Sequence, residues 1–495
     1  MHTSHDQQHH QHHDALDHER GACDDGLSGF VILRLARELE PGDSRDLLEH
    51  SQELQLHSLA ELLDALGQPP TRRVITSLEP GELLELEEQA MNTPLRPLNS
   101  LTRYWRIDTR GLAQPIDELV QRFSQLDGVE LAYAEMVVSD PAARAITVTR
   151  NPLSAWQDYL KKAPIGINAR WAWTKPGGKG NRVRVADIEQ GWRLRHEDLR
   201  GKAPTLIPNP NGHVPLINRD GTGGYIGHHG AAVMGVIAAD DNDRGIIGIA
   251  PMLDSLLAAP IYDAMDAVHV ADALTNASKA TSSGDVLLLE VQRGLDEDAL
   301  PTETDSADFD AIRLATSHGR IVIEAAGNGN SNLDEWRDVT TKRRRLSRDD
   351  LDFEDSGAIM VGACQSALAA VVIDDDHSTL GHARALTSNY GSRIDCYAWG
   401  ENVTTSGYDG PSPDTAYTLG FGGTSSAAAI IAGAAVLTQS MHRAKTPTPK
   451  ELWAIAMRSI LSNGATGTLQ STLPTGTIGS MPDLQQIATQ VLGIP

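Results

Sequence analysis

The run Gly423-Thr424-Ser425-Ser426-Ala427-Ala428-Ala429-Ile430-Ile431-Ala432-Gly433 constrains this chain more than any other stretch. The apolar part, Ala427 to Leu437, is too short to span a bilayer and reads as a helix buried in a protein interior. Elsewhere apolar strands alternate with small-residue helices, the pattern of a mostly parallel sheet covered on both faces. The expected fold class is α/β, a three-layer, doubly wound, mostly parallel sheet. Such sheets place their clefts where strands end and helices begin, and Ser425 falls at a junction of that kind. At a helix N-terminus the unpaired N–H groups and the helix dipole favour negative charge. That suits an oxygen nucleophile in acyl transfer; standing alone, the same segment is more often a plain N-cap.

Three further segments supply partners. Gly227-His228-His229-Gly230-Ala231-Ala232 again leads from a glycine turn into a small-residue helix, with His229 near its start, where an imidazole can accept a serine proton. Val183-Arg184-Val185-Ala186-Asp187-Ile188-Glu189-Gln190-Gly191 alternates as a strand with an acid at its tip, able to hold the histidine in one tautomer. Ile321-Val322-Ile323-Glu324-Ala325-Ala326-Gly327-Asn328 is a strand that delivers an amide donor for a developing oxyanion.

Taken in order, acid, histidine, asparagine and serine, these blocks resemble the subtilisin-like serine peptidases over roughly residues 150 to 490. His196-Glu197-Asp198-Leu199, Gly248-Ile249-Ala250-Pro251 and Ser388-Asn389-Tyr390-Gly391 match the family's flanking sequence as well. The resemblance implies a subtilisin-like fold and a serine endopeptidase. Ser425 would be the nucleophile, His229 the general base, and Asn328 the oxyanion donor. It also implies a peptide or protein substrate and chemistry that requires no cofactor.

Three departures from the family pattern bear on the site. The acid is normally aspartate; aligned on Gly191, this chain has Glu189, with Asp187 two residues earlier on the same strand face as the alternative acid. Glutamate, one methylene longer, can serve if its side chain folds back. Ala429 stands where a proline is usual, an easier residue in a helix. Glu290, Gln292 and Arg293 replace small residues on the strand edge that pairs with an extended substrate. Glu290, Val291 and Gln292 are therefore the expected substrate-binding residues, in a narrowed cleft where Glu290 favours a basic side chain, unless the polar side chains turn to solvent. A chain with this fold, an altered acid and a narrowed cleft is alternatively a catalytically weak peptide-binding protein.

Residues 1–26 hold a histidine-rich tail without fixed ligand spacing and without the apolar run of a signal peptide. The family is mostly exported, so the expectation stays open between the cytoplasm and export without a cleaved N-terminal signal. Residues 27–142 read as a small α+β unit: a strand at Phe30–Leu35, helical spacing from Leu47 to Leu66, a charged helix from Leu83 to Met91, then strand, helix and strand from Leu101 to Glu135. This unit is similar to the family's propeptide domains, which implies an N-terminal inhibitor of residues 143–495, with self-cleavage between about 135 and 150. A net charge of −24 argues against nucleic acid or an anionic membrane as partner. Cys23, Cys364 and Cys396 are too few for a disulfide framework. Acidic runs at Asp296–Asp298, Asp349–Asp355 and Asp374–Asp376, and the basic run Lys342–Arg345, read as solvated loops. The family's loops often bind calcium, but no run here has a recognisable ligand spacing.

Overall fold

The computed structural model describes residues 27–36, 46–139, 153–208, 226–262, 268–294, 299–366, 382–407, 413–445, 451–472 and 474–495. The histidine-rich tail, Cys23 and the acidic runs at 296–298 and 374–376 lie outside the described residues, as does most of the stretch expected to hold the cut.

The N-terminal unit is a four-stranded sheet of β1 (Leu27–Leu35), β2 (Thr71–Arg73), β3 (Tyr104–Asp108) and β4 (Val129–Met136), in the order β2-β3-β1-β4 with every pairing antiparallel. Because side chains alternate along a strand, β1 buries two faces. Val31, Leu33 and Leu35 pack under α1 (Leu47–Glu53), α2 (His57–Ala65) and α4 (Ile116–Ser124). Ile32 points the other way, into a core shared with the rest of the chain. The expected single helix from 47 to 66 is two, broken where Gln55 takes a left-handed φ of 59°. The charged helix α3 begins earlier than expected, at Pro80, and runs to Ala90. The strand expected from Leu101 starts at Tyr104, after a short 3-10 turn whose Thr102 N–H donates to Ser100 Oγ. A two-residue strand, β5 (Val138–Ser139), follows β4 and leaves this sheet.

The larger sheet has nine described strands: β6 (Arg184–Glu189), β7 (Thr205–Leu206), β8 (Ser255–Pro260), β9 (Val286–Leu289), β12 (Ile321–Ala325), β13 (Ile359–Cys364), β14 (Cys396–Trp399), β17 (Gly467–Leu469) and β18 (Ser480–Pro482). Their order is β17-β18-β14-β13-β12-β9-β6-β8-β7, parallel throughout except for the β17–β18 pair. The strands from β13 to β8 are buried except at the first residues of β6 and β8, as expected for a sheet with helices on both faces.

One face carries the single turn α5 (Ala169–Ala172), α6 (Ile226–Ala238) and α9 (Gly423–Lys445). Helix α9 runs 23 residues, well beyond the apolar stretch visible in the sequence, and by length and composition could cross a membrane; its most apolar 18 residues are buried and its C-terminal end is exposed. Its small side chains let neighbours come close: a methyl group on Gly433 would stand 2.7 Å from Ile249 Cβ. A separate antiparallel pair, β15 (Val403–Ser406) and β16 (Tyr417–Phe421), lies along α6, where Thr405 Oγ1 donates to Ala232 O at 2.7 Å. The other face of the large sheet carries α7 (Val270–Ala280) and α8 (Ser306–Ser317), whose outer surfaces meet Ile32, Leu83, Leu101 and Tyr104 of the N-terminal unit.

Polar contacts fasten this second junction. Asp272 accepts from Thr76 N (3.0 Å) and Ser77 N (2.7 Å), Tyr104 Oη donates to Asp310 (2.7 Å), and Tyr133 Oη donates to Asp305 (2.8 Å). Two short strands, β10 (Gln292–Arg293) and β11 (Leu300–Pro301), join the tail of the N-terminal unit in a small antiparallel sheet of order β11-β10-β5.

The basic run Lys342–Arg345 and the acidic run Asp349–Asp355 lie in loops, and the structure adds pairing within and beyond them: Arg343 pairs with Asp352 (3.1 Å) and Glu354 (2.7 Å), and Asp355 pairs with Arg458 (2.6 Å). Helix α10 covers Ala454–Leu461. The last helix, α11 (Leu484–Gln486), starts after β18 and is capped by Asp483, which accepts from Gln485 N at 2.9 Å. Cys364 and Cys396 are buried free thiols, and burial raises both well above the ordinary thiol value.

Candidate active site

Strand β6 ends on Glu189, whose carboxylate folds back so that Oε1 accepts from the next backbone amide, Gln190 N (2.6 Å). Its other oxygen, Oε2, meets His229 Nδ1 near the start of α6. The approach depends on Gly230: a methyl group there would stand 2.4 Å from Gly191 O and 2.5 Å from Trp192 Cδ1. The His229 ring is buried and lies edge-on to Phe421 of β16, with ring centroids 5.5 Å apart. A carboxylate on Nδ1 keeps the neutral ring's proton on that nitrogen and leaves Nε2 as an acceptor.

Asp187 is fully buried and takes another partner: Trp192 Nε1–H donates to its Oδ2 at 2.8 Å. Burial, followed by the nearby Glu189 carboxylate, raises Asp187 well above the usual carboxylate range. The alternative acid thus stands behind the site, bonded to an indole.

Ser425 lies in the first turn of α9, buried, and its Oγ has no hydrogen-bond partner among the described residues. Asn328 follows β12 by a short turn, and its Oδ1 accepts from Thr424 N (2.9 Å) and Thr424 Oγ1 (3.1 Å). With its oxygen pinned, the amide presents Nδ2 beside the residues that lead into Ser425. Gly423 makes room for it: φ is +77°, and a methyl group would come within 3.0 Å of Asn328 Nδ2.

The cleft strand is built differently from expectation. Glu290, Val291, Gln292 and Arg293 are all buried, so the polar side chains do not turn to solvent. Glu290 N donates to Ile188 O (3.2 Å), Gln292 pairs with Ser139 of β5, and Arg293 pairs with Val138. Arg293 donates to Asp308 from Nε (3.1 Å) and Nη2 (2.7 Å), and to Met136 O from Nη1 (3.1 Å), with Glu135 and Asp305 both at 3.9 Å. Burial works against its charge, but Asp308, Asp305 and Glu135 outweigh that and hold the guanidinium protonated.

Sequence reasoning did not assign roles to Thr424, Trp192 and Asn389. Thr424 and Asn389 stood inside quoted motifs, and only contacts across chain segments give them work. Among the described residues no three His, Cys, Asp or Glu side chains group as a metal site would need.

The family this architecture points to is shown by comparison: the chain belongs to the subtilase family (peptidase S8), which it matches over residues 180–480. Subtilisin NAT of Bacillus subtilis subsp. natto is 28% identical over 291 residues, 58% of this chain and 63% of that protein. Subtilisin DY of Bacillus licheniformis is 27% identical over 291 residues, 59% of this chain and 86% of that one. The match thus spans less than two thirds of the first relative's length. Among solved structures, fervidolysin of Fervidobacterium pennivorans, a keratinolytic enzyme related to subtilisin, shares the fold with a TM-score of 0.54 at 17% identity, over 94% of this chain and 61% of that chain.

Proposed function

We propose that the chain is a serine endopeptidase made as a self-inhibited precursor. The observation that carries this reading is a carboxylate-paired His229 in a chain whose Ser425, with no competing partner among the described residues, adjoins an asparagine amide locked by Thr424. Ser425 Oγ attacks the peptide carbonyl while His229 Nε2 takes its proton; His229 then protonates the leaving amine. Glu189, in place of the family's aspartate, orients the ring and stabilises its charged form. The Asn328 amide and the Ser425 backbone N–H receive the oxyanion. In subtilisin, a member of this family, losing one such donor costs about 2.7–4 kcal/mol. No step requires a metal.

Substrate adds as an antiparallel strand to β10, the position that Val138–Ser139 occupies here. The N-terminal unit is then the inhibitor, with its own tail in the cleft. The expected self-cleavage between about 135 and 150 is consistent with a chain docked up to Ser139, with Leu153 N bonded to Gly245 O (2.7 Å) in the larger unit. The test is the intact mass of the wild-type protein beside Ser425→Ala. A wild type shortened within that window and an uncut variant are expected. Two full-length species, with no labelling of Ser425 by a serine-directed phosphonate, would instead mark a peptide-binding protein.

A further inference from the structure

The surroundings of Asn328 are filled from two sides. From the cleft strand, Gln292 Oε1 reaches the Asn328 backbone N–H (3.0 Å), so this buried side chain crosses from β10 to the segment bearing the oxyanion amide. From behind, Asn389 Nδ2 donates to both Ala299 O (2.8 Å) and Ala326 O (2.7 Å), drawing the start of β11 onto Gly327. A methyl group on Gly327 would stand 2.9 Å from Ala299 O and 3.1 Å from the Leu300 carbonyl carbon. A peptide laid on β10 with its scissile carbonyl oxygen toward Asn328 has to send the side chain next to that carbonyl into the space between β10 and residues 326–328. That is the space the Gln292 side chain bridges.

We propose that Gln292, backed by Ala299 and Leu300, is a specificity-determining residue that admits only glycine, alanine or serine at the residue whose carbonyl is attacked. The inference rests on the peptidase reading above. Burying or excluding a few methylenes in such a space discriminates by tens to hundreds of fold. The chain beyond Ser139 has small residues of this kind, Ala142, Ala143 and Ala145, and no aromatic residue before Trp156.

The experiment compares two peptide p-nitroanilides that differ only in alanine or phenylalanine before the anilide, with protein produced as the full chain. Alanine is expected to exceed phenylalanine in kcat/KM by about 10-fold or more. Gln292→Gly should shift that ratio toward phenylalanine by about 10-fold or more, with Gln292→Ala as the second shortened variant. Gln292→Met, equally long but without the acceptor, should keep the preference. A wild type that prefers phenylalanine, or a ratio unmoved by both shortened variants, overturns the inference and leaves the peptidase reading standing. A wild type that cleaves neither peptide and takes up neither the alanine nor the phenylalanine phosphonate at Ser425 overturns both.

Discussion

Replacing Asp310 by asparagine should remove a defined pH dependence from the docking of the N-terminal unit. Asp310 sits on α8 beneath β3, where Tyr104 Oη donates to it at 2.7 Å and Arg34 Nη1 in turn donates to Tyr104 Oη at 2.9 Å. Burial pushes this carboxyl from 3.8 up to about 6, with the Tyr104 bond and the Arg34 charge pulling the other way. The docked chain therefore keeps a proton that the unfolded chain has already lost. Linkage then fixes the sign: this group's contribution is most favourable below pH about 4, declines as pH rises toward 6, and is flat above that. Roughly two units at about 1.36 kcal/mol each give a decline of about 3 kcal/mol. The assay is urea denaturation of the uncut Ser425→Ala chain, with and without Asp310→Asn, followed by tryptophan fluorescence from pH 4 to pH 8. The stability of the parent relative to the asparagine variant should fall by about that amount below pH about 6 and stay level beyond. A difference constant to within about 0.5 kcal/mol across the range refutes the raised carboxyl.

Two further outcomes follow from the site and its junction. Glu189→Gln should slow peptide hydrolysis by orders of magnitude, because a neutral amide neither fixes the His229 tautomer nor stabilises its cation, whereas Asp187→Asn should stay within about 10-fold of wild type; the reverse ranking in kcat would move the orienting acid to Asp187. Arg293→Met should cost the uncut Ser425→Ala chain about 3–5 kcal/mol in urea denaturation, since it leaves Asp308 buried without its cation while Glu135 keeps Arg106 (2.5 Å), and a loss below about 1 kcal/mol would mean that the pair contributes little.

The blocks around Glu189, His229, Asn328 and Ser425 were legible because each carries local information: a strand pattern, a glycine where backbones must approach, and a run of small residues. Gly423 could be read as a turn residue and Gly230 as one of a run of small helix residues, and the structure adds what they make room for, the Asn328 amide and Trp192. The helix break at Gln55 was not legible, since nothing in Leu47–Leu66 signals a left-handed residue. Nor was the pairing of Arg343 with Asp352 and Glu354, because charge runs look alike in sequence whether they face water or each other. The split between Glu189 and Asp187 was open for a related reason. Both lie on one strand face, and the Trp192 indole bonded to Asp187 distinguishes them only once the chain is folded.

The β10 strand shows why substitution at a motif is hard to read from one chain. Glu290, Gln292 and Arg293 looked like bulk added to a substrate edge, with solvent as the easy destination for three polar side chains. The partners of Arg293 and Gln292 come from elsewhere: Asp308 on α8, Met136 at the end of β4, and the backbone of Asn328 after β12. Arg293 ties the cleft edge to both α8 and the N-terminal tail, so the guanidinium that would weaken a plain substrate groove is neutralised by carboxylates the same docking buries. Gln292 is satisfied by the very backbone that carries the oxyanion amide. A polar residue is tolerated at a buried edge only where such partners exist. The departures from the family pattern on β10 are therefore coupled to the docked tail and to the filled space beside Asn328, and changing one without its partners should cost more than restoring a small residue would gain.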